Sequence, residues 1–238
     1  RRVRGLAAKR FCWRCAFYFL AMNLSRIIQN RHSCKAFDPT RTLSAEQVQQ
    51  LQDLLYWAPS SINAQAWHFF LASSAAGKEK IALGMAGDAY SYNAKKVRDA
   101  ALVVLFSTRS DLRDADIAAV LAQEEKDGRF ASAEAKAKRL AACHFFTNWH
   151  RGQGDVPEWL ARQAYIPLGQ LLLGAAAMGL DACPIEGFDP QVMDEALGLP
   201  ARGLRSLVAL AVGWRSAEDF NAQLPKSRLA QEQVLTWL

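Results

Sequence analysis

The sequence predicts one α+β domain, and two observations carry that prediction. Apolar runs of strand length, WHFFLA (67–72), ALVVLFS (101–107) and SLVALAVG (206–213), alternate with segments whose apolar residues recur at helical spacing. The most apolar stretch, PEWLARQAYIPLGQLLLGAAAMGL (157–180), is interrupted by Arg162, Gln163, Pro167 and Gln170. It therefore fails as a membrane span and reads as a central helix buried on all sides. With 238 residues, 51% of them hydrophobic and 22% charged, the chain can enclose one large core.

The elements follow in order. Leu24, Ile27 and Ile28 mark one face of a short helix ending near Asn30. Ser44 and Gln47 have capping-box spacing, and Val48, Leu51, Leu54 and Leu55 continue that helix until Pro59 forbids it. A charged helix is expected from Gly77 to about Gly84, and further helices over Ala115–Glu125 and Ala133–His150. Gly179 stops the central helix, and CPIEGF (183–188) is extended. Repeats, low-complexity tracts and linkers are absent, so residues 22–238 read as one domain.

Residues 1–21 read differently. They hold six cations and no acid, and remaining Lys and Arg residues (23) match the 23 acids, so the domain itself is near neutral. That balance excludes a basic nucleic-acid footprint. The apolar run Ala16–Ala21 is too short to span a bilayer. The segment is expected to be a non-core extension, upstream of a start at Met22, rather than a targeting peptide. Cys12 and Cys15 form a CxxC without a second ligand pair, and Cys34, Cys143 and Cys183 are scattered. A cytoplasmic protein without metal or disulfides is expected.

Chemistry concentrates in a few stretches. In RHSCKAF (31–37), Arg31, Ser33 and Lys35 alternate, so an extended backbone places them on one face. In LPKSRL (224–229), Lys226 and Arg228 alternate likewise. Either cluster alone reads as a solvated polar strand; together, in a near-neutral domain, they point to a phosphate-bearing ligand held by side chains. Neither has the glycines of a P-loop or a dinucleotide fingerprint. PSSINAQ (59–65) places Ser60, Ser61, Asn63 and Gln65 ahead of a strand, as a ligand loop or an ordinary connection would. The four histidines lack metal spacing, and no GxSxG elbow occurs. Cys34 should face the core, away from its two polar neighbours.

From Met22 onward the chain resembles the flavin-dependent nitroreductases, through RHSCKAFD, APSSINAQAWHF, DGRF, PIEGFD and EDFNAQLPKSRL in co-linear order. It is most similar to the oxygen-insensitive NAD(P)H nitroreductase and dihydropteridine reductase group. The resemblance implies a central, mostly antiparallel sheet flanked by helices, in an intertwined homodimer with shared active sites. It also implies non-covalent FMN, NADH or NADPH as reductant, and ping-pong two-electron reduction of nitroaromatics, quinones or pterins such as dihydropteridine. Carried over residue by residue, Arg31, His32, Ser33, Cys34 and Lys35 wrap FMN, joined by Lys226 and Arg228 at the phosphate. Pro184, Ile185, Glu186 and Gly187 run beside the ring, with the Glu186 N–H toward N5. Lys35, Asn93 and Lys96 border the pyrimidine edge, and Gln163 matches another flavin-side position. Pro59, Ser60, Ser61 and Asn63 come from the other subunit. Ile62, Tyr90, Arg129 and Phe146 fall on the substrate side, with Lys35, Asn93 and Lys96.

The sequence departs from that pattern at four points, one of them an extra residue ahead of Asn93 that bears on the placement of Tyr90 and Asn93. Ile62 replaces a hydroxyl, Ala66 replaces a proline, and Pro167 should remove a hydrogen bond or kink the central helix, costing about 3 kcal/mol if uncompensated. Two rival readings share the cofactor: a flavoprotein of the same fold that dehalogenates or fragments flavin, and a non-catalytic flavin-binding module.

Overall fold

The computed structural model describes residues 23–238, so the expected extension over 1–21 lies outside the described residues. Four strands form one sheet: β1 (Trp67–Ala72), β2 (Leu102–Arg109), β3 (Asp181–Ile185) and β4 (Leu204–Gly213). Their spatial order is β1-β2-β4-β3, and every pairing is antiparallel. The expected mostly antiparallel sheet is borne out, with a register shift between Phe106 and Ser107.

Both faces of the sheet are covered, which is why β2 and β4 read as continuous apolar runs rather than alternating ones. Leu102, Val104 and Phe106 of β2, with Val208, Leu210 and Val212 of β4, pack on one face. That side is covered by α2 (Ala45–Tyr56) and α7 (Val156–Ala177). Val103, Leu105, Ala209 and Ala211 pack on the other, beneath α3 (Ala75–Ala82), α4 (Ser91–Asp99) and α8 (Pro190–Leu197). α5 (Asp114–Lys126) and α6 (Ala133–Gln153) enclose a third cluster with the start of α7. α1 (Leu24–Asn30) packs against α7.

Local chemistry explains the boundaries. Both hydrogen bonds of the Ser44–Gln47 capping box form, at 3.0 and 3.2 Å. Asp189 caps α8 by accepting the Gln191 and Val192 N–H groups, Pro190 opens it, and Gly198 ends it at φ +62°. Pro167 does not break α7, which is continuous across it. What Pro167 removes is the N–H that the Gln163 carbonyl would receive in a regular helix.

Two expectations need correction. The charged helix begins at Ala75 and passes into a 3₁₀ turn, Leu83–Met85, because Ser74 rather than a later residue caps it. The extended stretch of the PIEGF region starts at Asp181 and leaves the sheet after Ile185. The central helix α7 buries Trp159, Leu160, Ala164, Leu168 and Leu171 within one chain, with Tyr165 and Ile166 exposed on its outer side.

Candidate functional site

The opening cluster lies along the sheet edge. Ser33 forms a parallel bridge with Ala182, the Cys34 N–H donates to the Ala182 carbonyl (3.1 Å), and the Asp38 N–H donates to Trp214 (2.8 Å). The segment is therefore extended beside β3, and Cys34 turns into the core as expected, fully buried. Burial pushes its thiol far above the ordinary cysteine range, as it raises Cys143 and Cys183. None of the three is poised as a thiolate nucleophile. Native protein treated with iodoacetamide is expected to leave Cys34, Cys143 and Cys183 unmodified by peptide mapping. Modification of Cys34 without denaturation would contradict its placement.

The two cationic clusters meet. Arg31, His32 and Ser33 share a cleft of about 380 Å³ with Asn221, Lys226 and Arg228, and among the described residues no acid lines it. Burial, then the charges of Arg31 and Arg228, hold the Lys226 ammonium below the usual lysine range. Lys226 donates to the carbonyls of Ile28 (2.8 Å) and Arg31, closing the end of α1. Lys35 does not line this cleft, because the chain bends at Lys35–Ala36. The expected common face therefore holds for Arg31 and Ser33 only. The Lys35 charge acts instead on Lys96.

Lys96 belongs to a second group, on α4. Its Nζ donates to Asn93 Oδ1 (2.6 Å) and the Tyr92 carbonyl (3.3 Å), and lies 4.7 Å from the centre of the Tyr92 ring. Asn93 Nδ2 in turn donates to the Gly187 carbonyl (2.8 Å), tying α4 to the Pro184–Gly187 stretch. A Cβ on Gly187 would stand 2.6 Å from Asn93 Nδ2 and 3.0 Å from the Tyr92 hydroxyl, so a larger residue here would push Asn93 aside. Ile185 is buried at the end of β3, and Glu186 accepts from the Tyr165 hydroxyl at 2.5 Å. Burial and then that bond push the Tyr165 phenol up to about 12.

The remaining residues gather at the opposite edge, ahead of β1. The Ser61 N–H donates to Gln163 Oε1 (2.8 Å), and the Gln65 N–H donates to Ser60 Oγ (3.0 Å). Asn63 Nδ2 donates to Glu124 (3.0 Å), and Arg139 donates to the Ile62 carbonyl (2.6 Å). Ile62, Asn63 and Gln65 have φ of +48°, +52° and +46°. A β-branched residue is strained there, and these bonds hold it. Arg129 lies 3.9 Å from Glu124, Phe146 is half exposed on α6, and Pro59 is exposed. Among the described residues no hydrogen bond joins this loop to the cationic cleft. One chain thus unites two of the three expected groups.

Sequence reasoning missed Glu124, Arg139, Asp219 and Asn221, which hold these groups in place. Glu124 had a legible signal: a charge continuing the buried stripe Ile117–Leu121 of α5. Asp219 lay within the EDFN stretch, without periodicity to mark it.

A sheet of this order, edged by an acid-free cationic cleft and a glycine-backed lysine, defines a class. The chain belongs to the nitroreductase family, whose model matches residues 28–214. It is 47% identical over 216 residues to the oxygen-insensitive NAD(P)H nitroreductase of Salmonella typhimurium, covering 90% of this chain and 99% of the relative. The enzyme of that name from Enterobacter cloacae is 45% identical over equal shares. The major NAD(P)H-flavin oxidoreductase of Aliivibrio fischeri is 32% identical, over 89% and 96% of the two chains. A nitroreductase-type structure from Exiguobacterium sibiricum, solved in complex with FMN, superposes with TM-score 0.73 at 21% identity, over 91% and 97%, and bears on the fold alone.

Proposed function

We propose that this chain is an FMN-dependent oxidoreductase that uses NADH or NADPH to reduce nitroaromatics, quinones or pterins by two electrons, in ping-pong order. The cleft in which RHSCK meets PKSR, cationic and free of acids, carries this reading. Its donor set suits a phosphate monoester. FMN, when bound, supplies the hydride acceptance and two-electron release that no side chain here provides.

The chain's own residues bind and orient. Arg31, Ser33 and Arg228 would take the phosphate, with Lys226 free to exchange its carbonyl contacts for it. Lys35 and Lys96 would set positive charge at the pyrimidine edge, Lys96 being fixed by Asn93. Tyr90, Ile62, Arg129 and Phe146 would shape the substrate side. No nucleophile is required, which agrees with the inert thiols.

The working unit would be a homodimer. The 59–65 loop stands at the sheet edge remote from the cleft, so a second copy can bring its loop to the first copy's flavin. Tyr165 and Ile166 of α7, Phe145 and Trp149 of α6, and Trp237 (99% exposed) in the tail offer apolar surface for that contact. The buried free thiols suit a cytoplasmic protein. Residues 1–21 would lie outside the domain, ahead of the matched segment. Among the described residues no helix is long and apolar enough to cross a membrane.

Purified protein is expected to be yellow, to bleach anaerobically with NADH or NADPH, and to recolour on adding a nitrofuran. A colourless protein that takes up no FMN would remove the reading. A yellow protein that NAD(P)H leaves unbleached would instead favour the non-catalytic module.

A further inference from the structure

The cationic cleft contains a paradox of placement: a buried carboxylate stands directly behind it. Asp219 has a fully buried side chain. Its Oδ2 lies 2.8 Å from His32 Nε2, and its Oδ1 accepts the Lys35 N–H (2.9 Å) and the Asn221 N–H (3.3 Å). Burial opposes its ionisation, but the bonds from His32 and the Lys35 N–H outweigh burial and keep the carboxyl below its usual range. On charge alone, an acid here weakens the binding of any anion.

The hydrogen bonds give it another role. Asn221 Nδ2 donates to the Ser33 carbonyl (2.8 Å), and Lys226 reaches the Arg31 carbonyl. His32, Ser33 and Lys35 are thus each gripped by Asp219 or Asn221, although over 180 positions separate the two segments. Within 31–35 the sheet itself holds only Ser33 and Cys34, through Ala182. We propose that Asp219, seconded by Asn221, is a positioning residue that sets the spacing of the two cationic walls for the flavin phosphate. This rests on the FMN reading above and extends it to Asp219, which stands behind the cleft, and to Asn221 on its wall.

The test compares FMN with riboflavin, which lacks the phosphate, on flavin-free full-length protein by fluorescence titration at fixed salt. Asp219→Asn keeps the shape but turns N–H groups toward His32. It is expected to weaken FMN about tenfold, as loss of a charge-assisted hydrogen bond would, and riboflavin less than about threefold. Asn221→Ala removes one bond and is expected to shift the FMN-to-riboflavin ratio the same way, by about threefold. If Asp219→Asn does not fold, Asn221→Ala decides alone. Equal weakening of both flavins would mean the pair supports only the fold, and tighter FMN binding would mean repulsion alone; either overturns the proposal. Wild-type protein that binds neither flavin would overturn the FMN reading itself, and this inference with it.

Discussion

Replacing Lys96 with Met is expected to slow NAD(P)H-driven turnover by about 100-fold while FMN stays bound, the scale set by losing one preorganised electrostatic donor. Lys96 is buried, and among the described residues it has no carboxylate partner. Burial, together with repulsion from Lys35, lowers its pKa below the ordinary lysine value of 10.5. Such a cation costs stability in the resting fold, so its presence calls for a functional return when negative charge arrives. The sign of the pH effect follows. Between the lowered folded value and 10.5 the unfolded chain binds more protons, so this residue makes stability rise with pH through that window. Lys96→Met should abolish that rise, and activity of the native protein should fall on the alkaline side at lower pH than an ordinary lysine would dictate. Stopped-flow bleaching by NADH and by NADPH, with flavin content measured beside it, checks the main effect. Unchanged bleaching rates would show that the charge is not used.

What the sequence conceals is instructive in the same residues. The strands and α2 were legible because apolar spacing and the Ser44–Gln47 box report burial and capping directly. α4 was not, since its buried side has only Ala94 and Val97 as apolar residues, beside the polar Asn93 and Lys96. The helix that carries the ring-side lysine is hidden because it serves a site. α8 carried its signals openly, Asp189 and Pro190 before it and Gly198 after it, and still went unread. The two cationic clusters were legible as chemistry, but their meeting is a tertiary fact: the bonds that close the cleft link positions near 31 to positions near 221. The bend that parts Lys35 from Arg31 and Ser33 leaves no trace in composition.

Removal of the Glu124 carboxylate is expected to cost the most stability of any single change to the 59–65 loop. Glu124 is buried and accepts from Arg139 Nε and Nη2 (both 3.1 Å) and from Asn63 (3.0 Å). Arg139 also holds the Ile62 carbonyl, so one pair secures two of the three residues with left-handed backbone. Glu124→Ala would leave Arg139 half-buried without its counter-ion and Asn63 without its acceptor. Breaking a buried pair from one side costs about 3–5 kcal/mol, and the strained φ of Ile62 adds to the drive for the loop to let go. Glu124→Gln, which keeps the acceptor for Asn63 but not the charge for Arg139, should cost less. The acid limb has the same origin. Burial raises the Glu124 pKa, but the bonds from Arg139 and Asn63 prevail and set it below the ordinary 4.5. Its contribution is therefore complete above that value and is lost as pH falls toward the lower folded one. Urea denaturation of the wild type and both variants at pH 7 and near pH 4 would read this, with limited proteolysis locating the cut. A large loss for Ala, a smaller one for Gln, and variants less sensitive to acid than wild type are expected. If Glu124→Ala unfolds at the wild-type midpoint and the loop stays uncut, the strained turn is held by packing on Leu112, Ile117 and Leu121 rather than by the ion pair.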